Sequence, residues 1–353
     1  MKPKISIIIV NYNGKKYLKD CLSSIMENGK SISYEIIVVD NGSKDGSVDY
    51  INGLTKLRIN GLTIKKILNK ENLGFAGGNN VGVREALGEY VLLLNNDTRV
   101  EKNFLRNFVK AFDEIPNLGC VQPKIVLMKD SNIIDSCGSY LTDTSFLYHY
   151  GYDKNQSSET YNRPFPIFSV KGVAILTKKE IIEKIGLFDD DFWCYYEETD
   201  FCNRLWLAGY ECWYYPKAKI YHAAGGTTLA YFDNSYIQFQ NFKNKLLSFI
   251  KNFEVLTLMR FIPTYFLINF FLGMFFLITL KPKYFISLLK AFLWNAVNLK
   301  STLDKRRHIQ ILRKMTDRKI FDKVKRNPNL SYYYYQQFGK LGFYSDKPYE
   351  SAI

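Results

Sequence analysis

Three acidic side chains follow a run of aromatic residues just past the middle of the chain. The run Phe192–Tyr196 leads directly into Glu197, Glu198 and, two residues later, Asp200. A carboxylate beside aromatic surface loses solvation, which raises its pKa and suits it to take a proton from a hydroxyl group. The same acids could also form the first turn of a helix, where the helix dipole favours negative charge. Both interpretations can hold together.

Another acid, Asp97, follows the apolar run Val91–Leu94 and the pair Asn95 and Asn96. A carboxylate at a strand end can bind Mg²⁺ or Mn²⁺, hard cations that take oxygen ligands and can bridge two phosphates. An Asp in this position is more often a turn residue or a helix cap. A lone histidine is usually structural, but His222, which lies just before a glycine pair, is a candidate ligand of the same metal.

Two further stretches could contact a ligand. Asp40 ends a second apolar run, where an acid can accept hydrogen bonds from a ribose or a base. Within residues 40–43 it could equally form an Asx-turn. The glycine-rich stretch 72–80 could present backbone N–H groups to a phosphate or a sugar, or could only make a tight turn. Its spacing matches neither GxGxxG nor GxxxxGK(S/T), which argues against a dinucleotide-binding oxidoreductase and a P-loop protein.

The segments that must position these residues alternate between strand and helix. Strands are expected at Ile5–Val10, Glu35–Val39, Leu62–Leu68 and Tyr90–Leu94, and helices at 15–27, near 48–52 and at 79–87. The pattern predicts an α/β fold, a doubly wound and mostly parallel sheet with helices on both faces. The polar tips at 11–13, 40–43 and 95–97 should meet at the carboxyl edge of the sheet, where such sheets bind ligands.

The net charge of +14 is concentrated in one region. Residues 281–326 carry 14 Lys/Arg and 3 Asp/Glu, a surplus of +11 that leaves only +3 for the rest of the chain. This region follows Phe261–Leu280, twenty residues without a charge, and overlaps the amphipathic pattern of Tyr284–Leu299. The order of features predicts helices that bind an anionic membrane surface by shallow insertion. A hydrophobic hairpin packed on the preceding domain, or a dimer interface, is the alternative.

Five stretches occur in a fixed order along residues 4–228, roughly two-thirds of the chain. They are Ile5–Asn13, Val38–Ser43, Asn72–Asn80, Leu93–Asp97 and Phe188–Cys202. Together they resemble the family 2 glycosyltransferases with the GT-A fold, especially the rhamnosyltransferase-like branch. The resemblance implies an enzyme that transfers a sugar from a nucleotide-diphosphate-sugar donor, dTDP- or UDP-linked, with inversion at the anomeric carbon and with Mg²⁺ or Mn²⁺ as cofactor.

The resemblance also assigns roles to single residues. Glu198 matches the second acid of the family's Glu-Asp pair, which is the catalytic base, and Glu197 matches the first. Asp97 matches the metal-binding acid of the DxD-type motif, and His222 a histidine that joins the metal in some members. Asp40 matches the acid that contacts the nucleoside. The full set of expected donor-binding residues is Asn11, Tyr12, Asn13, Asp40, Gly74, Gly77, Gly78, Asn79, Asn80, Asn95 and Asn96.

Two positions depart from the family pattern. Asn95 stands where the DxD-type motif begins with an acid, which removes one negative charge near the diphosphate and puts the metal affinity in question. Glu198 stands where the base is usually Asp. Its side chain is one methylene longer, which leaves the choice between Glu197 and Glu198 open.

Three regions follow: a GT-A catalytic domain at 1–230, membrane-associating helices at 231–300 and a basic, Tyr-rich extension at 301–353. Six scattered cysteines without a CxxC pair fit a reducing compartment. We therefore expect an enzyme on the cytoplasmic face of the cell membrane that glycosylates a lipid-linked glycan in cell-surface polysaccharide or glycoconjugate synthesis. It has no nucleic acid partner, and its oligomeric state is open, with a dimer as one option. The alternative is a basic nucleic-acid-binding or structural membrane-surface protein with a non-catalytic nucleotide-binding-like domain.

Overall fold

The computed structural model describes residues 2–29, 32–54, 63–224, 232–337 and 341–347. Its strands are β1 (Ile5–Asn11), β2 (Tyr34–Asp40), β3 (Thr63–Leu68), β4 (Tyr90–Leu94), β5 (Thr98–Val100), β6 (Leu118–Leu127), β7 (Ile133–Ser136), β8 (Ser139–Leu141), β9 (Leu147–His149), β10 (Lys154–Asn155), β11 (Phe165–Pro166), β12 (Ala174–Lys178) and β13 (Glu211–His222). Its helices are α1 (Lys15–Asn28), α2 (Ser47–Leu54), α3 (Gly74–Arg84), α4 (Phe104–Glu114), α5 (Lys179–Ile185), α6 (Glu197–Leu207), α7 (Asn234–Asn252), α8 (Val255–Ile278), α9 (Pro282–Val297), α10 (Leu299–Ile311), α11 (Asp317–Val324) and α12 (Leu330–Gln337).

Strands β4, β1, β2 and β3 form the parallel half of the central sheet, in that order. The residues of β1, β2 and β4 are almost all buried, as expected where helices cover both faces of a parallel sheet. Because these strands run in one direction, they end at one edge, where Asn11 and Asp40 are paired in register. The four predicted strands are confirmed, except that Leu62 lies outside the described residues.

Beyond β4 the sheet becomes mixed. β12 lies antiparallel between β4 and β6, and β7 and β10 continue the antiparallel pairing on the far side of β6. β13 runs parallel to β6 and antiparallel to the short strands β11 and β5. The pairing of β5 with β13 is the one that matters for the site, because it places the segment after β4 beside the end of β13.

Helices cover both faces of the sheet because successive residues of a strand point to opposite sides. Ile7 belongs to one buried cluster with Leu22 of α1 and Phe108 of α4, whereas Ile8 belongs to the other cluster with Val83 of α3. The predicted α/β architecture is thus confirmed.

A group of helices built on α7 follows the sheet domain. α8 and α9 form a hairpin that is fixed to α7 by two hydrogen bonds. The hydroxyl of Tyr265 donates to the carbonyl oxygen of Phe242 (3.1 Å), and Nδ2 of Asn295 donates to that of Lys243 (3.1 Å). One stripe of α8 is buried, with a member at every fourth position: Phe261, Tyr265, Asn269 and Gly273.

The rest of α8 is exposed, including Leu267, Phe270 and Phe271 at 58, 62 and 63%. By length and composition alone, this helix is apolar enough to cross a membrane. Most of the uncharged run Phe261–Leu280 lies in α8. This helix begins before the run, at Val255, and continues through Pro263.

Much of the basic region is engaged inside the protein. Nζ of Lys305 lies 2.5 Å from an oxygen of Asp189 and 2.6 Å from one of Asp191, and Arg313 pairs with Asp317 at 2.9 Å. Other side chains of the region also contact carbonyl or carboxylate oxygens: Arg306, Lys323 and Lys325. The positive charge available to an external anion is therefore smaller than the sequence indicates. The exposed lysines of the basic region on or next to the α8–α9 hairpin are Lys281, Lys283, Lys290 and Lys300.

The described part of the C-terminal extension packs on the sheet domain. Tyr332 is buried against Tyr148 of β9, with ring centroids 4.9 Å apart. One carboxylate oxygen of Asp346 accepts hydrogen bonds from the hydroxyl of Tyr161 and the backbone N–H of Gly151, both at 2.9 Å. The tyrosine-rich run thus contributes a packing surface for the first domain.

Candidate active site

The carboxyl ends of β1, β2 and β4 are tied together by the side chain of Asn11. Its Nδ2 donates to Oδ2 of Asp40 (2.9 Å) and to Oγ of Ser43 (3.2 Å), and its Oδ1 accepts from Nδ2 of Asn96 (2.7 Å). Asn11, Asp40 and Asn96 are all buried. The polar tips that the sequence places at one edge of the sheet do meet there, and Asn11 is the residue that joins them.

Asp40 bonds to its own loop, because its Oδ1 accepts the backbone N–H of Ser43 at 2.8 Å. This bond reaches three residues along the chain and not the two of the expected Asx-turn. Beside it, Tyr12 is half-buried and its ring stacks on that of Phe232, with centroids 6.4 Å apart. The backbone N–H of Asn13 donates to Oγ of Ser43 (2.8 Å). Contacts of Asp40, Tyr12 and Asn13 with a donor stay predictions.

Asp97 and His222 face each other although they lie far apart in the sequence. The cause is the antiparallel pairing of β5 with β13, which sets His222 opposite Thr98. Oδ1 of Asp97 lies 3.4 Å from Nε2 of His222, and both residues are buried. Within the described residues, this carboxylate oxygen has no hydrogen-bond partner. The structure therefore brings the two predicted metal ligands together, with one oxygen uncommitted.

Asp135 holds the other side of the imidazole ring. Its Oδ2 lies 2.7 Å from Nδ1 of His222, and its Oδ1 lies 2.7 Å from Nζ of Lys171. Burial opposes a charge on His222, but the hydrogen bond to Asp135 and the negative charges of Asp135 and Asp97 outweigh it and raise the pKa of His222 to about 9. Burial likewise opposes ionisation of Asp135, but His222 and Lys171 hold its pKa well below the usual range. The four side chains form one charge-alternating chain, in which Asp97, His222 and Asp135 are buried and Lys171 is partly exposed.

The glycine-rich stretch is where the structure corrects the predicted elements. The sequence predicts a helix only from residue 79, but α3 begins at Gly74. Gly74 has φ +73°, and a Cβ there would lie 2.3 Å from the carbonyl oxygen of Trp193, so only glycine fits. Because glycine disfavours helix interiors, a run of glycines predicts a loop; here close packing outweighs that preference. Gly77 is therefore inside a helix, and its contact with a donor stays a prediction.

The other predicted donor-binding residues of this stretch also make structural contacts. A Cβ on Gly78 would lie 2.8 Å from Cγ1 of Val10, so this glycine lets α3 approach β1. Asn79 is buried and bonds to a carbonyl oxygen of its own helix. Nδ2 of Asn80 donates to Oδ1 of Asp190 at 2.8 Å. Asn80 thus anchors the segment that precedes the acidic pair.

The aromatic segment before the acidic pair has an unusual backbone. Trp193, Tyr195 and Tyr196 have φ of 57, 66 and 71°, in the left-handed region that residues with a Cβ rarely adopt. Asn244 of α7 is fully buried against this segment. Its Nδ2 contacts three backbone carbonyl oxygens, those of Phe192 (2.9 Å), Cys194 (2.8 Å) and Tyr195 (2.6 Å). A side chain from outside the sheet domain therefore stabilises the turn that leads into the acids.

Glu197 and Glu198 begin α6 and differ in their surroundings. Glu197 is 5% exposed, and within the described residues its Oε2 has no hydrogen-bond partner. Glu198 is half-buried. Burial and then the charge of Glu198 raise the pKa of Glu197 well above its usual value, whereas burial raises the pKa of Glu198 to about 7. A carboxylate that reaches the surface and titrates near neutrality suits a general base, so the geometry favours Glu198.

Asp200, the third acid, has a structural role. It pairs with Arg204 (2.9 Å) and Lys251 (3.3 Å) and accepts a hydrogen bond from Nδ2 of Asn252 (2.8 Å). All four residues are buried. The helix-start interpretation therefore holds for Asp200, which joins α6 to α7.

Three successive residues before β12 connect the two groups of acids. Lys171 pairs with Asp135. A Cβ on Gly172 would lie 3.9 Å from Cδ of Glu198. The carbonyl oxygen of Val173 accepts the backbone N–H of the residue after β4, at 2.9 Å. This short segment therefore contacts Asp135, which holds His222, the end of β4, which leads to Asp97, and the surroundings of Glu198. The candidate metal ligands and the candidate base belong to one site for that reason.

A comparison with known protein families identifies the larger part of the sheet domain. The family described as Glycosyl transferase family 2 matches residues 6–186, about half of the chain. The chain belongs to glycosyl transferase family 2. The resemblance seen in the sequence is thereby confirmed at the level of the family, and the rhamnosyltransferase-like branch stays a prediction.

Individual members of glycosyl transferase family 2 share modest identity with the chain. It is 27% identical over 208 residues to the low-salt glycan biosynthesis hexosyltransferase Agl10 of Haloferax volcanii, a match that covers 58% of this chain and 62% of that protein. The chain thus spans less than two thirds of this curated relative.

Solved structures confirm the GT-A fold. Staphylococcus aureus TarS in complex with UDP-GlcNAc is similar with a TM-score of 0.56 at 15% identity, over 87% of this chain and 90% of that one. GalNAc-T7 with UDP, GalNAc and Mn²⁺ is similar with a TM-score of 0.56 at 17% identity, over 71% of this chain and 48% of that one.

The residues around Asp97 fit a divalent cation. A carboxylate oxygen and an imidazole nitrogen are both suitable ligands once the ring of His222 has released its proton, and the buried Oδ1 has no hydrogen-bond partner among the described residues. Two adjacent ligands of an octahedral ion, each about 2.1 Å from it, lie about 3 Å apart, close to the 3.4 Å seen between Oδ1 and Nε2 of His222. Asp135 orients the ring as metal-binding histidines usually require.

Sequence reasoning missed three residues of the site: Asp135, Lys171 and Asn244. Each acts through a partner distant in the sequence, with His222 lying 87 residues from Asp135. None belongs to a spaced motif, so the sequence alone carries no signal for them.

Proposed function

We propose that this family 2 glycosyltransferase moves a sugar from a nucleotide-diphosphate-sugar donor to a hydroxyl group of a glycan acceptor, with inversion. The observation that supports the proposal is the segment Lys171–Val173, which contacts Asp135, the residue after β4 and the surroundings of Glu198 in three successive positions. Inversion in one step needs a base for the acceptor hydroxyl and positive charge for the departing diphosphate. Glu198 would provide the base, and a metal ion bound by Asp97 and His222 would provide the positive charge.

Glu198 is proposed as the base. Its carboxylate takes the proton from the acceptor hydroxyl as the oxygen attacks the anomeric carbon, and the bond to the diphosphate breaks in the same step. The raised pKa of about 7 makes it a better proton acceptor than an ordinary carboxylate while leaving much of it ionised at neutral pH. Glu197 is more deeply buried than Glu198 and is not proposed as the base.

Asp97 and His222 are proposed to hold Mg²⁺ or Mn²⁺. The bound ion would supply positive charge to the leaving diphosphate. Asn95 contributes no charge at this position, so among the described residues of the DxD-type motif Asp97 is the acid that remains. The diphosphate would have to provide the missing oxygen ligands, and we expect metal and donor to bind cooperatively for that reason.

The donor is proposed to be dTDP- or UDP-linked, with a hexose or deoxyhexose. GalNAc-T7 is solved with UDP and TarS with UDP-GlcNAc, which supports a uridine nucleotide as the donor of this chain. The donor would lie along the carboxyl edge of β1, β2 and β4, where Asn11 fixes the loops that carry Tyr12, Asn13 and Asp40. The function named for Agl10 supports a role in glycan synthesis.

The acceptor is proposed to be lipid-linked, with the enzyme held on the cytoplasmic face of a membrane. Support comes from the exposed apolar side chains of α8 and from the composition of residues 255–303, which include five Lys/Arg and no Asp/Glu. Exposed apolar patches of this kind mark interaction sites, and basic residues add attraction to anionic lipids.

A panel of nucleotide sugars, assayed with Mn²⁺ or Mg²⁺ and short polyprenyl-diphosphate glycans, tests the proposal. We expect one uridine or thymidine donor to yield a β-linked product from an α-linked donor, or the reverse, seen in the anomeric coupling by NMR. A product of retained configuration, or full activity in excess EDTA, would overturn the inverting, metal-dependent mechanism.

A further inference from the structure

Four lysines of the described chain are buried: Lys124, Lys243, Lys245 and Lys251. Three of them donate to oxygen atoms of the protein. Lys251 pairs with Asp189 (2.6 Å), Lys243 donates to the carbonyl oxygen of Asp191 (2.6 Å), and Lys124 donates to that of Gln156 (3.3 Å). Lys245, at 9% exposure, is the exception, because burial is the one influence on its pKa and no acid of the described residues offsets it.

Aromatic rings surround this amine instead. Nζ of Lys245 lies 3.7 Å from the ring centroid of Phe146 and 6.0 Å from those of Tyr196 and Tyr265. Ring faces attract a cation but do not replace its lost hydrogen bonds. Burial accordingly lowers the pKa of Lys245 to about 7. A bound anion would supply the missing oxygen atoms and favour the charged form.

The position of Lys245 connects the base to the apolar hairpin. Tyr196 lies two residues before Glu198, at the start of α6. Tyr265 belongs to the buried stripe of α8, whose opposite side exposes large apolar residues. A molecule with a sugar at Glu198 and a lipid chain along α8 would therefore pass its connecting group close to Lys245.

We propose that Lys245 binds the phosphate or diphosphate group of a lipid-linked acceptor, so that the acceptor sugar is held toward Glu198 and the lipid toward α8. The inference rests on the proposed function and adds a specific contact for the acceptor. Charge, burial and the aromatic surroundings together suit an anion attached to an apolar chain. A lysine retained only for packing would serve equally well as methionine, which separates the two explanations.

Binding of geranyl diphosphate, measured by calorimetry with the donor site filled by UDP and Mn²⁺, tests this contact. We expect Lys245→Met to weaken binding about 10- to 100-fold, since it removes one charged hydrogen-bond donor. Lys245→Arg, which keeps the charge, should recover part of the affinity. Lys243→Met is the matched control: it is a buried lysine two positions earlier on α7 whose amine already has a protein partner, and it should leave binding unchanged.

Three further ligands identify the source of the phosphate. Geraniol should bind Lys245→Met and the unaltered protein alike, and inorganic pyrophosphate should bind more weakly than geranyl diphosphate. Pyrophosphate that binds equally well would replace the lipid-linked acceptor with a free diphosphate. If Lys245→Met lowers affinity for phosphatidylglycerol vesicles and not for geranyl diphosphate, the contact is with membrane headgroups and the proposal is wrong. Equal geranyl diphosphate binding by Lys245→Met also overturns it.

The outcome is separate from that of the proposed function. Donor turnover by the unaltered protein tests the transferase, whereas the binding measurement needs no catalysis. An active transferase with unchanged geranyl diphosphate binding in Lys245→Met would refute the contact alone.

Discussion

Asp97 and His222 meet side by side, with 3.4 Å between Oδ1 and Nε2, because β5 pairs antiparallel with the last residues of β13. One acid follows β4 and the histidine ends a strand more than a hundred residues later. Neither residue is distinctive in its own sequence context. The sheet brings the two residues together, and the hydrogen bond to Asp135 then fixes the orientation of the His222 ring.

Asp135→Asn is expected to weaken Mn²⁺ binding about 10- to 100-fold, because the hydrogen bond that orients His222 is changed while both proposed ligands, Asp97 and His222, remain. Mn²⁺ titration followed by electron paramagnetic resonance, with UDP present, measures this. Asp97→Ala should abolish binding and serves as the reference.

Glu35→Gln is the matched control for Asp135→Asn. Glu35 is also buried and lies 3.2 Å from Nζ of Lys65, but it is at the opposite end of β2 from the site. It should leave the Mn²⁺ affinity unchanged. If Asp135→Asn still binds Mn²⁺ tightly while the separate variant Asp97→Ala has lost binding, Asp135 does not orient a ligand.

Asn244→Ala should lower kcat by about 10- to 100-fold while donor affinity changes little. The side-chain amide of Asn244 contacts three carbonyl oxygens of the strained turn before Glu198. When this amide is removed, the proposed base loses its fixed position. Unfolding stability should fall by about 1–3 kcal/mol because buried polar groups are left without a partner.

Asn269→Ala separates positioning from stability. Asn269 is equally buried, and its Nδ2 donates to the carbonyl oxygen of Tyr265 within its own helix. We expect a comparable loss of stability with kcat retained. If both variants lose stability and neither loses kcat, Asn244 has no positioning role.

The pH dependence of kcat should report Glu198. The base works only when ionised, and burial raises its pKa to about 7, so the active fraction increases as pH rises through neutrality. Below pH 6 we expect kcat to fall about tenfold for each pH unit. A profile that is flat from pH 5.5 to 8.5, with chemistry rate-limiting, would contradict this assignment.

Membrane attachment should have two separable components. Changing Leu267, Phe270 and Phe271 to serine should reduce binding to anionic vesicles at all salt concentrations, because apolar insertion is insensitive to screening. Changing Lys281, Lys283 and Lys290 to glutamine should reduce it mainly at low salt. Sedimentation with vesicles measures both effects. A full-length protein that is soluble in low salt without detergent and ignores anionic vesicles would refute membrane attachment.

The parallel half of the sheet and its polar edge could be predicted from the sequence because buried strands leave a strong local signal. The apolar runs that end at Asn11, Asp40 and Asn95 mark both the strands and the ligand edge. Gly74 shows the opposite case: its helix is stabilised by close approach to Trp193, a contact that local propensity cannot reveal.

The supporting residues of the site could not be predicted for a related reason. Asp135, Asn244 and Lys245 owe their significance to neighbours that only the folded chain supplies. The net charge of the basic region overestimates the charge that is free to bind a partner, because Lys305 and Arg313 form ion pairs with acids of the same chain.

Glu198, and not Glu197, is proposed to take the proton from the acceptor. The decisive measurement is the turnover of Glu198→Gln and Glu197→Gln, each with donor affinity measured in parallel. Glu198→Gln keeps the shape and loses the proton acceptor, so kcat should fall about 10²- to 10⁴-fold with donor affinity largely unchanged. Glu197→Gln should retain most of its turnover. An active Glu198→Gln beside an inactive Glu197→Gln would make Glu197 the base instead.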